Sequence, residues 1–369
     1  MDHSLTEEQV RVQATFRRFA EREVRPRAAE LDEPGFPTEL FRRVGELGFF
    51  AMRYPDEDGR TVDVVTWVLA LEELAWGSLA LAASCTMQSL MGTWLVHRHA
   101  PAEVRDRLLP AAFRGERIGA ICMTEPGAGS DLGGVTTRAT ADGATWKLTG
   151  GKTWVTSAPV ADFFTVLART GPERLSFFLV ERGAPGLNVG RAIAKAGVRG
   201  SPTAEVFFED TPALLLGPEG AGMGALKDIL AEIRVATAAL ALGVGRAAFE
   251  AARAHGRERV QFGRPVREFQ AVAAHLADMA VDLEAARRLT YWAAWRSDQK
   301  LANATEASMA KLFASEAALR VCERAARVLA SAGFAEGSPV ERYLRDVRFT
   351  LIGGGTSEIL RINIAREVG

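Results

Sequence analysis

Cysteine is scarce: three in 369 residues, at Cys85, Cys122 and Cys322, with no C-x-x-C spacing. An odd set so far apart excludes a disulfide frame and a thiolate zinc site, and fits free thiols in a cytoplasmic setting. Histidine is scarce too, with five residues and no H-E-x-x-H. His97 and His99 stand two apart and do not share a helix face, so no metal site is expected. No sign of charge dominates. Lys and Arg total 45 against 46 Asp and Glu, and no basic stripe with interleaved aromatics appears, so nucleic acid is not the expected partner. The basic cluster RRFAEREVRPR at 17–27 is interrupted by glutamates, as a solvated helix face is. The opening MDHSLTEEQV has no signal-peptide core. The longest apolar stretch, LALAASCTMQSLMGTWLV at 79–96, is dotted with Ser, Thr and Gln. A bilayer span needs about 20 predominantly apolar residues, so a buried bundle helix is expected there and no membrane partner.

With 48% apolar and 25% charged residues, the composition is that of a globular protein. The chain is too long for one simple core and divides into three by its patterning. Residues 1–117 show helical periodicity. Thr6 and Gln9 have capping-box spacing, Pro34, Gly35 and Pro37 break the first run, and Pro101 opens a later helix. Residues 118–225 carry short β-rich runs such as ATWKLTGGKTWVTSA and LSFFLVER, separated by Gly, Pro and Asp. Residues 226–369 return to long helices, expected over 226–257, 266–298 and 303–332. The expected class is α+β: a helical domain, a central β-barrel-like domain and a C-terminal four-helix bundle.

Four local motifs follow that order. CMTEPGAGSD (122–131) places Gly127 and Gly129 where backbone can approach a flat ring, beside the Thr124 hydroxyl. GGKTWVTSA (150–158) puts Trp154 and Thr156 on one strand face, alternating with Val155. RERVQFGRPVREFQ (257–270) offers Arg259 for a charge-assisted fork on phosphate. LIGGGTSEIL (351–360) follows a helical segment that begins RVLASAGF (327–334). Together these resemble the acyl-CoA dehydrogenase family over almost the whole chain. The first matches the hallmark T-E-P-x-A-G-S-D, the second G-x-K-x-W-I-T, the third R-x-x-F-G-x-P-x-x-x-F-Q.

That resemblance implies FAD and an acyl thioester, on coenzyme A or an acyl carrier protein. It implies an electron-transfer flavoprotein as a possible electron acceptor, and a homodimer or homotetramer whose subunits share the cofactor sites. By the same resemblance Cys122, Met123, Thr124, Gly129, Ser130, Trp154, Val155, Thr156, Arg259, Phe262, Gln270, Arg327, Ala330, Ser331, Thr356 and Glu358 would hold the cofactor. Ser130, Arg234 and Gly353 would meet the substrate. Arg327, Ala330 and Ser331 stand where relatives have a Gln and two glycines. The wording of 327–346 also resembles members that act on carrier-bound acyl groups.

One departure bears on chemistry. Many relatives place a glutamate base in I-Y-E-G-T, and the aligned residue here is Gly354, which leaves only its backbone N–H for an oxyanion. A second branch places the glutamate directly before a characteristic arginine, Arg234, and here that residue is Ile233. Glu232, the nearest carboxylate, is one position early, about 100° round a helix. Three readings stay open: α,β-dehydrogenation with Glu232 as a displaced base, oxidation of a hydroxyacyl or aminoacyl group on a carrier protein, or a non-catalytic homologue.

Overall fold

The computed structural model describes residues 5–56, 58–143 and 145–369. Met1–Ser4 of the opening decapeptide, Glu57 and Ala144 lie outside the described residues.

The N-terminal helical layer contains α1 (Glu7–Phe19), α2 (Thr38–Glu46), α3 (Val64–Gly77), α4 (Leu79–Thr86), α5 (Trp94–His99) and α6 (Ala102–Phe113). Thr6 and Gln9 form the full capping box that their spacing suggested. Between α4 and α5 the chain takes a π turn over Met87–Gly92, so 79–99 is a buried helix interrupted near its middle. The interruption has a packing cause. A Cβ on Gly92 would lie 2.4 Å from the Gly119 carbonyl. Gln88 clamps the same contact, donating to the carbonyls of Ala112 and Arg117 and accepting from Gly119 N–H at 2.9 Å.

The middle layer is a barrel of β1 (Gly119–Cys122), β2 (Arg138–Asp142), β3 (Thr145–Thr156), β4 (Phe163–Gly171), β5 (Arg174–Glu181), β6 (Leu187–Ala192) and β7 (Thr203–Leu216). β2, β3, β7, β5 and β4 pair in turn, and β4 returns to β2 where Arg169 sits beside Arg138, which closes the ring. β1 joins β4 in parallel and β6 lies on β7. Phe163, Phe164, Phe177 and Phe178 are buried in this layer. Burying one such side chain contributes roughly 1.5–3 kcal/mol.

The C-terminal layer has α7 (Gly222–Glu258), a short hairpin of β8 (Val260–Gln261) and β9 (Arg264–Pro265), α8 (Gln270–Asp298), α9 (Ala304–Leu329), α10 (Ser331–Phe334), α11 (Pro339–Val347) and α12 (Ser357–Val368). Three long helices and the shorter α12 against α9 make the bundle. α7 starts at Gly222 rather than 226, and no side chain caps it, so the sequence carries no start signal there. α8 starts at Gln270 rather than 266, because 266–268 form a 3-10 turn and Phe269 is extended. α3 docks on α7 so closely that a Cβ on Gly243 would lie 2.4 Å from the Glu72 carbonyl. Buried Glu72 and Glu73 of α3 are satisfied there: Arg246 donates to Glu73 at 2.9 Å and the Tyr291 hydroxyl to Glu72 at 2.8 Å.

α9 ends at Leu329 rather than 332 because Ala330 adopts φ 51°, ψ −127°, a conformation that only glycine takes without strain. Such strain costs on the order of 1–3 kcal/mol, of which about 0.4–1 kcal/mol would be given back by the looser unfolded chain of a glycine. Ala330→Gly is therefore expected to stabilise the protein by about 1 kcal/mol, read as a higher denaturant midpoint.

Candidate active site

The first two motifs meet on the barrel. Thr153 N–H donates to the Thr124 carbonyl at 2.9 Å, tying β3 to the loop after β1. Beneath them lies a buried ion pair that the motif patterns did not reveal. Lys152 Nζ donates to Glu125 Oε1 at 2.8 Å and to the Met123 carbonyl at 3.0 Å. Glu125 also accepts from the N–H groups of Thr136 and Thr137 and from the Thr136 hydroxyl. Burial pushes the Glu125 carboxyl up, but Lys152 and the two threonines outweigh it and hold the group at about 2.

Above this anchor β3 is not a plain strand. A bulge lies between Lys152 and Val155, and Trp154 takes φ 56°. The indole stands 56% exposed, with Thr156 half-buried. Gly129 and Ser130 are exposed, and Met123 and Thr124 are half-buried. Cys122 and Val155 turn inward. Both side chains are buried in the core, so only their backbone can face a cofactor.

The second cluster is a niche between α7, α9 and the turn before α12. A Cβ on Gly354 would lie 2.8 Å from Thr237 Oγ1 and 3.6 Å from Ile233 Cγ2. The two positions expected to carry a base thus face each other, and neither side chain is a carboxylate. Gly354 has φ 71°, and among the described residues its N–H has no hydrogen-bond partner. Glu232 is already paired. Arg53 grips it with a fork, Nε at 3.1 Å and Nη2 at 3.0 Å, so the expected displaced base is held in an ion pair. Arg234 is buried against α9, donating to Ser308 Oγ at 2.9 Å and to the Ala304 carbonyl. Lys311 of α9 donates to the Gly355 carbonyl at 2.7 Å. Burial, with Arg234 adding to it, lowers the Lys311 ammonium to about 8. Arg53, Thr237 and Lys311 escaped the sequence reading because only the tertiary fold brings them here.

Three family models cover the chain: the acyl-CoA dehydrogenase N-terminal domain over residues 6–116, the middle domain over 120–211 and the C-terminal domain over 220–369. The chain belongs to the acyl-CoA dehydrogenase family. The family's enzymes are FAD-dependent, and this chain is 54% identical to a benzylmalonyl-CoA dehydrogenase of Aromatoleum aromaticum, with all of both chains covered. It is similar to the solved butyryl-CoA dehydrogenase of Megasphaera elsdenii, with a TM-score of 0.95, 31% identity and full coverage of both chains. A prolyl acyl carrier protein oxidase, AnaB, is a more distant structural neighbour at 29% identity and a TM-score of 0.93, covering 99% of this chain and 100% of its own.

As an acyl-CoA dehydrogenase, the chain leaves part of its expected cofactor set far from the niche. Arg259 caps the far end of α7, and the 25 residues from Arg234 make roughly 37 Å of helix. Phe262 at the tip of the hairpin is 93% exposed, and Gln270 is exposed at the start of α8. Arg327 is tied to Glu323 at 2.6 Å on the surface, Ala330 is the strained cap of α9, and Ser331 opens α10. Thr356 caps α12 by accepting from Ile359 N–H, with Glu358 exposed in the first turn, and Gly353 packs on the Phe349 ring.

The Glu125–Lys152 anchor is testable. Lys152→Met leaves a buried carboxylate alone and is expected to cost about 3–5 kcal/mol of stability at neutral pH. Because the Glu125 value is depressed, its contribution is present above its ordinary value of 4.5 and is lost as pH falls towards 2. Denaturant midpoints of wild type and Lys152→Met should therefore converge on acidification.

Proposed function

We propose that this protein oxidises acyl-CoA thioesters carrying a carboxylate on the α carbon, as a benzylmalonyl group does, and that loss of this carboxylate replaces proton abstraction. The niche at Gly354 carries the reading. Gly354 and Ile233 fill both places where the family puts its base, and Glu232 is occupied by Arg53.

An acyl-CoA dehydrogenase must put an electron pair on the α carbon while a hydride leaves the β carbon. A glutamate does this by taking the α proton. An α-carboxylate does it by leaving as CO2, since the broken carbon–carbon bond leaves its pair on the α carbon as an enolate. The Gly354 N–H is free to donate to the thioester oxygen where that charge develops. FAD, when bound, accepts the β-hydride. The products are CO2 and the α,β-unsaturated thioester, and nothing at the α carbon needs a proton acceptor.

The barrel motifs fit a flavin. Trp154 offers an exposed flat face, Gly129 leaves backbone accessible beside Thr124, and Ser357 Oγ is buried without a partner next to the Thr356 cap. Arg259, Phe262 and Gln270 lie at or beyond the far end of α7, too distant to serve the same cofactor, so in this reading a second copy supplies them. Exposed Phe262 and Val260 on the hairpin, and Phe334 nearby in sequence to the strained α9 end, support such a homo-oligomer. An electron-transfer flavoprotein as acceptor belongs to the same reading.

Anaerobic mixing with benzylmalonyl-CoA is expected to bleach the flavin of the wild type, and 3-phenylpropanoyl-CoA, its counterpart without the carboxylate, to leave it oxidised. Glu232→Gln should behave as wild type. Ile233→Glu should gain reduction by 3-phenylpropanoyl-CoA, at least about 100-fold, the usual contribution of a positioned base. Reduction of the wild type by 3-phenylpropanoyl-CoA that Glu232→Gln abolishes would make Glu232 the base and overturn the reading.

A further inference from the structure

Two cations of the core are matched by carboxylates. Lys152 has Glu125, and Arg246 has Glu72 and Glu73. Two others, beside the niche, are not. Arg234 is 6% exposed and Lys311 fully buried, and among the described residues neither has a carboxylate within ion-pair distance. The acids nearby in the sequence are otherwise engaged: Glu232 by Arg53, Glu306 by Arg296 and Glu316 by Arg361. Glu358 stands exposed on α12. Arg234 Nε is buried with no partner at all. Two like charges held in a dry site without a counterion are costly, and an anion entering the site removes that cost.

Their position gives the anion an identity. Lys311 holds the Gly355 carbonyl, Arg234 follows Ile233 on α7, and Gly354 and Ile233 wall the niche. A glutamate at position 354 or 233 would bring one negative charge here. Neither is present, so the charge must come with the ligand. We propose that Arg234 and Lys311 form the subsite that recognises the α-carboxylate of the acyl-CoA substrate. This rests on the proposed function for the nature of the substrate, but it concerns binding and is read separately from turnover. The two cations attract the carboxylate before reaction and the enolate after it, so they act mainly on affinity and little on the chemical step.

The test uses malonyl-CoA and acetyl-CoA, which differ by the α-carboxylate and have no β carbon to oxidise. Dissociation constants are measured by calorimetry on the flavin-loaded protein. Wild type is expected to prefer malonyl-CoA by roughly 10- to 100-fold, the worth of a buried charge-assisted contact. Lys311→Met and Arg234→Met should each remove most of that preference, read as the ratio of the two dissociation constants.

Raising the pH from 7 to 9 should weaken malonyl-CoA alone, because Lys311 loses its proton near pH 8. The charged groups facing it are Arg234 of α7, Glu358 of α12 and Glu316 of its own helix. Lys311→Met should show no such pH step. If one variant fails to retain flavin, the other and the pH series decide. A wild type without preference, or variants that lose both ligands alike, would overturn the inference. A clear preference without flavin reduction by benzylmalonyl-CoA would instead leave the subsite standing and remove the proposed reaction.

Discussion

Burying an ion without its opposite is the constraint around which this site is organised. The fold meets it at two places. Lys152 and Glu125 cancel beneath the loop after β1, and Arg246 meets two glutamates where α3 docks on α7. Both pairs place elements as well as charges: the first joins two motifs, the second fixes the helix that lines the niche. At Arg234 and Lys311 the rule is suspended. The turn Gly353–Gly355 lies beside them with no acid in it, and a larger residue at 354 would meet both strained backbone and Thr237. In the proposed subsite, this positive charge is what an incoming anion meets.

In the proposed reaction the same missing side chain decides the chemistry. An acyl-CoA dehydrogenase with a base fits its substrate around a proton. One without a base needs a substrate that delivers its own electron pair, and an α-carboxylate does so. The missing side chain, the occupied Glu232 and the unpaired cations then describe one arrangement.

The architecture was largely legible in the sequence, because its signals are local. Thr6 and Gln9 cap α1 as their spacing suggested, the proline–glycine cluster at 34–37 separates α1 from α2, and the β-rich middle forms a closed barrel. The TEPGAGSD and GKTWVT motifs meet in space because each is contiguous and the two share one backbone contact. What escaped notice depends on distance along the chain or on strain. Arg53 and Glu232 are 179 positions apart, and Lys311 reaches a turn 44 residues on. The bulge at Trp154 and the glycine-like conformation of Ala330 go against residue preference, so composition conceals them. α7 starts early with no capping side chain to announce it.

The most direct measurement is the yield of labelled CO2 from carboxyl-labelled benzylmalonyl-CoA in a single anaerobic turnover, set against the amount of flavin reduced. The account predicts one CO2 for each flavin reduced. Reduced flavin with the label retained in the unsaturated thioester would contradict it, because a base would then have taken the α proton.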